Sequence, residues 1–392
     1  MVKAADALLP PRARRLLGIH AFFLAGLNLS NIFFNVYLWK IHRSIELATV
    51  FNFFQFLTVP VVFFLGSFLV KRWGSPGNLR LGLFIHAVFY LMVLVLKDHV
   101  ADRVILLGML MGMGQGFYYL GYNVSTYDWT NSRNRDHFSG LNGAAAALAS
   151  MAAPLAGGLI IACLGPGPGY NLVFAASVAC FALAWAASLN FAGGRAEQGA
   201  RFGQALKLAG PDWRRVSWSM ALRGLREGVM SFALILLVYE ITCDEVQLGY
   251  FNLVTSLATL LVFYLAGKLN SRDRHYCSMV RGSVLLFIST SVLLRRDLLA
   301  LWVFGLANSI FYPFVFVPVT TISYNTIGNT ARAGDYRMEF LTFREVPLNL
   351  GRLAGIALLL IFVREDWPVA WLIWALGLSQ IPIGFILKPV KH

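Results

Sequence analysis

The sequence predicts an all-α membrane protein: twelve transmembrane helices in two pseudo-symmetric six-helix bundles, with both termini in the cytosol. Three observations carry this expectation. Apolar residues make up 58% of the 392 and charged residues only 13%, a balance foreign to ordinary soluble domains. The apolar residues fall in runs of about twenty, the length that crosses a hydrocarbon core about 30 Å thick. The basic residues are distributed unevenly around those runs.

The runs place spans at 17–39, 46–70, 78–96, 103–126, 138–164, 170–192, 214–240, 246–269, 276–294, 298–326, 338–363 and 368–387. With cytosolic termini, 22 Lys and Arg residues lie on the inner side and 7 on the outer. That asymmetry follows the positive-inside rule. Adding or removing one span would scatter basic loops over both sides. The net charge of +14 is thereby assigned to orientation and to contact with anionic lipid, so no nucleic-acid partner is expected. The expected location is the cytoplasmic (inner) membrane, and the expected state is a monomer. The leader MVKAADALLPPRARRLLG lacks a cleavable signal pattern and reads as a basic cytosolic lead into span one.

The four cysteines, Cys163, Cys180, Cys243 and Cys277, show no CxxC spacing. They read as small packing residues, not as metal ligands or a disulfide framework. There is no HExxH string, no Ser/His/Asp grouping and no carboxylate cluster with metal spacing. Neither a metal nor a cofactor is expected, and an enzyme is not.

The longest polar connection, 193–213, divides the chain into an N-terminal bundle (1–192) and a C-terminal bundle (214–392). The halves are weakly alike. Asp136 precedes the Leu155-Ala156-Gly157 run by 19 residues, and Asp335 precedes Leu353-Ala354-Gly355 by 18. Duplicated six-helix units are common among transporters. The loop after span two reads Gly66-Ser-Phe-Leu-Val-Lys71-Arg72-Trp73-Gly74-Ser-Pro-Gly. On these features the chain resembles the major facilitator superfamily over nearly its whole length. Arg72 and Gly74 align with that superfamily's loop signature, whereas Lys71 stands where an acidic residue is usual. The strings Arg223-Gly-Leu-Arg-Glu-Gly228 and Arg344-Glu-Val-Pro-Leu-Asn-Leu-Gly-Arg352 look similar to a bacterial branch of unassigned substrate.

A charged group in lipid is expensive, so its position is informative. Spans 3, 6, 9 and 12 carry almost no polar residues in mid-span. The other eight carry many, and in the resembled fold those eight line or flank a central cavity. Asn28, Asn31 and Asn35 fall on one face of span one; they read equally as a hydrogen-bonding wall or as packing amides. Gln115, Tyr118, Tyr119 and Tyr122 share one side of span four and suit a partly apolar ligand, or an interfacial tyrosine belt. His20 and His86 read as packing residues. Span ten supplies Asn308 and Tyr312. Span seven carries Arg223, Arg226 and Glu227; span eleven carries Glu339, Arg344, Glu345, Asn349 and Arg352. The arginines can pair with the glutamates, or can receive an anionic or zwitterionic group. Glu227 and Glu345 are candidates for exchanging a proton.

Together these features imply a secondary active transporter. Its solute would be small and anionic, zwitterionic or amphiphilic, moved by alternating access with a proton gradient as a driving force. Translocation of membrane lipids or other amphiphiles by the same fold is the second expectation.

Overall fold

The computed structural model describes residues 9–130, 134–190, 201–269, 275–295, 297–330 and 336–390. The first eight residues and the 193–200 part of the 193–213 connection therefore lie outside the described residues. The same holds for Asp335 and for the basic residues of 271–274.

The described chain is helical throughout. The order is α1 (Pro11–His42), α2 and α3 (on either side of Gly74 within Glu46–Leu96), α4 (Val104–Trp129), α5 (Arg135–Leu164), α6 (Pro166–Leu189), the short α7 (Phe202–Leu208), α8 (Pro211–Met230), α9 (Ala233–Thr242), α10 (Glu245–Leu269), α11 (His275–Thr290), α12 (Leu298–Asn329), α13 (Arg337–Arg364), α14 (Val369–Leu378) and α15 (Ile381–Leu387). Gly74, at φ +73°, breaks the Glu46–Leu96 run, a conformation that glycine adopts at little cost. Eleven of the described helical segments are long and apolar enough to cross a membrane. Wide apolar faces stay exposed, including Val61, Phe64, Leu65 and Phe68 on α2 and Phe84, Leu91 and Val95 on α3. Such faces need lipid around them. The chain is a multi-pass membrane protein.

The run expected at 214–240 is not among the eleven. It is two helices, α8 and α9, separated at Ser231–Phe232. α8 holds Asp212, Arg214, Arg215, Arg223, Arg226 and Glu227 within twenty residues, too many charges for a lipid-facing helix.

The chain forms two compact units. One comprises Met1–Tyr37, Val61–Gly199 and Glu245–Leu253; the other comprises Leu38–Pro60, Ala200–Asp244 and Val254–His392. The division does not follow the 193–213 connection alone, because each unit also holds one segment from the other half of the sequence.

In the first unit, Asn252 donates to the Ser150 carbonyl and the Tyr170 hydroxyl donates to Glu245. In the second, α8 packs on α13 more extensively than any other described helix pair. The reason is glycine on both sides. A Cβ at Gly351 would collide with the Ala221 carbonyl oxygen, one at Gly355 with that of Leu225, and one at Gly224 with that of Leu348. The spacings Gly224-x-x-x-Gly228 and Gly351-x-x-x-Gly355 place small residues on one stripe of each helix, so the backbones meet. The first unit uses the same device: a Cβ at Gly82 would run into the Tyr118 backbone, one at Gly121 into the Leu79 backbone, and one at Gly157 into the Phe33 ring. Gly157 and Gly355 close the two Leu-Ala-Gly strings.

Gly351→Leu or Gly355→Leu should therefore lower stability by roughly 1–3 kcal/mol or more, as overpacking does. Gly18→Ala, where nothing lies within 4 Å, should be neutral or slightly stabilising. Thermal unfolding of the purified variants in one detergent checks both.

Candidate functional site

In the second unit, intramembrane charges of α8 and α13 meet one another and polar and aromatic side chains of α12. On α8, Arg223 donates through Nε to Glu227 at 3.2 Å, one helical turn away. Arg352 of α13 reaches the other carboxylate oxygen of Glu227 through Nη2, also at 3.2 Å. Glu227 is thus bridged by two guanidiniums. A Cβ at Gly228 would lie 2.7–3.0 Å from the backbone and Cβ of Arg352, so the absence of a side chain there lets Arg352 reach its partner. Asn349 sits beneath: its Oδ1 accepts from Arg352 Nη1, and its Nδ2 donates to the Glu345 carbonyl.

α12 presents a ladder to the α8 arginines. Asn308, Tyr312, Phe316 and Thr320 recur every fourth residue and so share one face. Arg226 donates to Asn308 Oδ1 and lies over the Tyr312 ring. Arg223 donates to Thr320 Oγ1 and lies over Phe316, 4.3 Å from its centroid. Arg352 lies over Phe56, 4.9 Å from its centroid. Each guanidinium thus has one face against an aromatic ring, a favourable cation–π arrangement that leaves its N–H edge for hydrogen bonds. Arg223 and Arg226 are buried, and Nε of Arg226 and of Arg352 have no hydrogen-bond partner among the described residues.

The two glutamates of α13 are engaged elsewhere. Glu345 pairs with Arg344 at 3.1 Å, and Arg344 lies over Tyr324 and donates to its hydroxyl. Glu339, buried at the start of α13, accepts from the Arg201 backbone N–H. The sequence expectation of four arginines shared among three glutamates therefore resolves into a neutral Arg344–Glu345 pair and a separate cluster. That cluster opposes Arg223, Arg226 and Arg352 to Glu227 alone.

The predicted residues of the first unit form a different arrangement. Tyr118 is fully buried, and its hydroxyl is hydrogen-bonded to His20 Nδ1 at 2.7 Å. His20 stacks on Tyr122 with centroids 4.0 Å apart, and Phe23 stacks on Tyr118 at 3.6 Å. Tyr119 meets this stack edge-on, and the Tyr122 hydroxyl donates to Asn142. Gln115 and Tyr119 are half-buried on the same helix. Asn28 and Asn35 bond back to the carbonyls of Leu24 and Asn31, four residues earlier, and Asn31 is half-buried.

Phe56, Phe316, Thr320 and the paired glycines were not expected from sequence. A four-residue period running on from Asn308 and Tyr312 marks Phe316 and Thr320. The two G-x-x-x-G strings mark the helix contact. Nothing local marks Phe56.

With this geometry in view, relatives can be weighed. An uncharacterized protein of Bacillus subtilis strain 168, YqgE, is 32% identical over 386 residues, covering 96% of this chain and 89% of that protein. The chain belongs to the YqgE family. An uncharacterized protein of Geobacillus stearothermophilus, encoded in the sodM 3′ region, is 37% identical over 161 residues, 41% of this chain and 75% of that protein. No family model matches. Among solved structures, an inward-facing bacterial homologue of the iron transporter ferroportin aligns with TM-score 0.68 at 14% identity, covering 96% of this chain and 97% of that one. The Escherichia coli fucose:proton symporter aligns with TM-score 0.63 at 14% identity, covering 97% and 98%. A bacterial metal transporter gives 0.64 at 13%, covering 97% and 98%. The YqgE-family chain thus has the major facilitator fold.

Three outcomes follow for the YqgE-family chain. Glu227→Gln leaves two arginines without their carboxylate and should destabilise by about 1–3 kcal/mol, less than breaking a fully buried pair because Glu227 is half-buried; Arg344→Met/Glu345→Met, which removes both partners, should cost less. Tyr118→Phe removes the His20 bond and should cost about 1 kcal/mol. Thermal melts of the variants against the parent read each difference.

Proposed function

We propose that this YqgE-family protein is a secondary active transporter of a small organic solute bearing an anionic group, working by alternating access in the cytoplasmic membrane. The single observation behind this reading is the cluster on α8, α12 and α13, where three guanidiniums face one carboxylate. Arginine edges of this kind suit carboxylate or phosphate oxygens, whereas three fixed positive charges repel a metal cation. The iron and metal named for two of the structural neighbours therefore do not carry over to this site.

In the same reading the broken pair α8–α9 supplies a twelfth crossing, so both termini lie on the cytosolic side, as the distribution of basic residues favours. The two bundles remain those of 1–192 and 214–392. Glu227 and Glu345 are the carboxylates assigned to proton coupling. Asn308, Tyr312, Asn349 and Arg352 line the solute site together with Arg223 and Arg226. Asn28, Asn31, Asn35, Gln115, Tyr118, Tyr119 and Tyr122 of the first unit are proposed as a polar and aromatic face belonging to that unit alone. The aromatic rings over each arginine favour a second reading, in which an amphiphile with an anionic head is moved.

Reconstitution in proteoliposomes separates these. Uptake of an anionic solute should fall at least about tenfold in Arg223→Gln or Arg352→Gln, as expected for loss of a close charge pair. An imposed pH gradient should drive it, and Glu227→Gln or Glu345→Gln should uncouple it. Uptake indifferent to all four substitutions removes the anion site. Fluorescent lipid scrambling without solute uptake would favour the amphiphile reading.

A further inference from the structure

The charges of the α8–α12–α13 cluster do not balance. Glu227 is the one carboxylate paired with Arg223 and Arg352 among the described residues, and Arg226 is held by an amide and a ring instead. The two glutamates of α13 are committed to Arg344 and to the Arg201 backbone. Arginine does not shed its proton in proteins, so three positive charges against one negative leave a fixed excess of two. Excess charge in a low-dielectric interior is costly. Two guanidinium donors with no hydrogen-bond partner among the described residues, Nε of Arg226 and Nε of Arg352, lie in this same cluster. The rings of Tyr312, Phe316 and Phe56 cover one face of each guanidinium, which leaves the in-plane edge for an oxyanion.

Resting on the anion-site reading above, we infer that the site takes a compact doubly charged oxyanion and that Glu227 sets this valence by cancelling one of three arginine charges. A dicarboxylate and a phosphomonoester share that chemistry. Glu227 then acts as a specificity determinant. With it ionised, a dianion neutralises the cluster; without it, the cluster presents three charges; without Arg226, it presents one.

The test uses the full-length protein in detergent and a series of related ions at a pH where every carboxylate is ionised: butyrate, succinate and tricarballylate, with inorganic phosphate beside them. Apparent affinities are read from saturable thermal shifts at constant ionic strength. In the wild type, succinate or phosphate should bind at least about tenfold more tightly than butyrate, one charge pair's worth; which of the two binds separates a carboxylate from a phosphoryl ligand. Glu227→Gln should move the preference to tricarballylate, and Arg226→Gln should move it to butyrate. Asp212→Asn, whose partner is Arg215 outside the cluster, should leave the order unchanged. If the anions bind and Arg352→Gln weakens them, yet the order is the same in wild type, Glu227→Gln and Arg226→Gln, the valence assignment is overturned while the anion site stands. If no anion shifts any of these proteins, or Arg223→Gln and Arg352→Gln change nothing, the anion site itself fails.

Discussion

The close approach of α8 and α13 is the constraint on which the rest of the site depends. Two helices that meet through carbonyl oxygens and glycine Cα atoms leave no room for a spacer. Arg352 can therefore reach across and pair with Glu227, on the turn just before Gly228. In lipid, apolar side chains gain little by meeting one another, and close van der Waals contact carries the association. The glycines are thus both the adhesive and the positioning device. Any side chain wide enough to fill a normal helix gap would separate the two charges that define the cluster.

The second consequence of that contact is electrostatic. Glu227 is spread between two guanidiniums, while the rings of Phe316, Tyr312 and Phe56 face the cations. The rings temper the cost of burial without adding negative charge, so among the described residues the guanidiniums still outnumber the carboxylate they face. Arg344 and Glu345 show the other solution on the same helix: a pair that closes on itself and has nothing left over.

Much of this was legible beforehand, for stated physical reasons. Runs of apolar residues and the asymmetric basic loops reveal a membrane helix array because hydropathy is a property of single segments. Arg223, Arg226, Glu227 and Arg352 stood out because charge in an apolar run has few explanations. Which glutamate serves which arginine was not legible, because pairing depends on the rotation and depth of helices far apart in sequence. Phe56 was invisible for the same reason. The tyrosines of α4 were read as a wall, yet Tyr118 is buried against His20 and Phe23; a one-sided stripe specifies a face, not what covers it. The break at Ser231–Phe232 escaped because the residues after it are strongly apolar, so the composition of α9 masked the polarity of α8.

That break bears on how the chain is made. Helix α9 is strongly apolar, whereas α8 holds Arg223, Arg226 and Glu227, with Arg214 and Arg215 near its start, and cannot enter lipid unaided. Its natural shelter, α13, leaves the ribosome only after α10, α11 and α12 have been synthesised. During that interval α8 must wait at the translocation channel, at the water interface, or beside the helices already inserted. Biogenesis of this protein is therefore ordered from its far end: the last third of the chain determines when the middle settles.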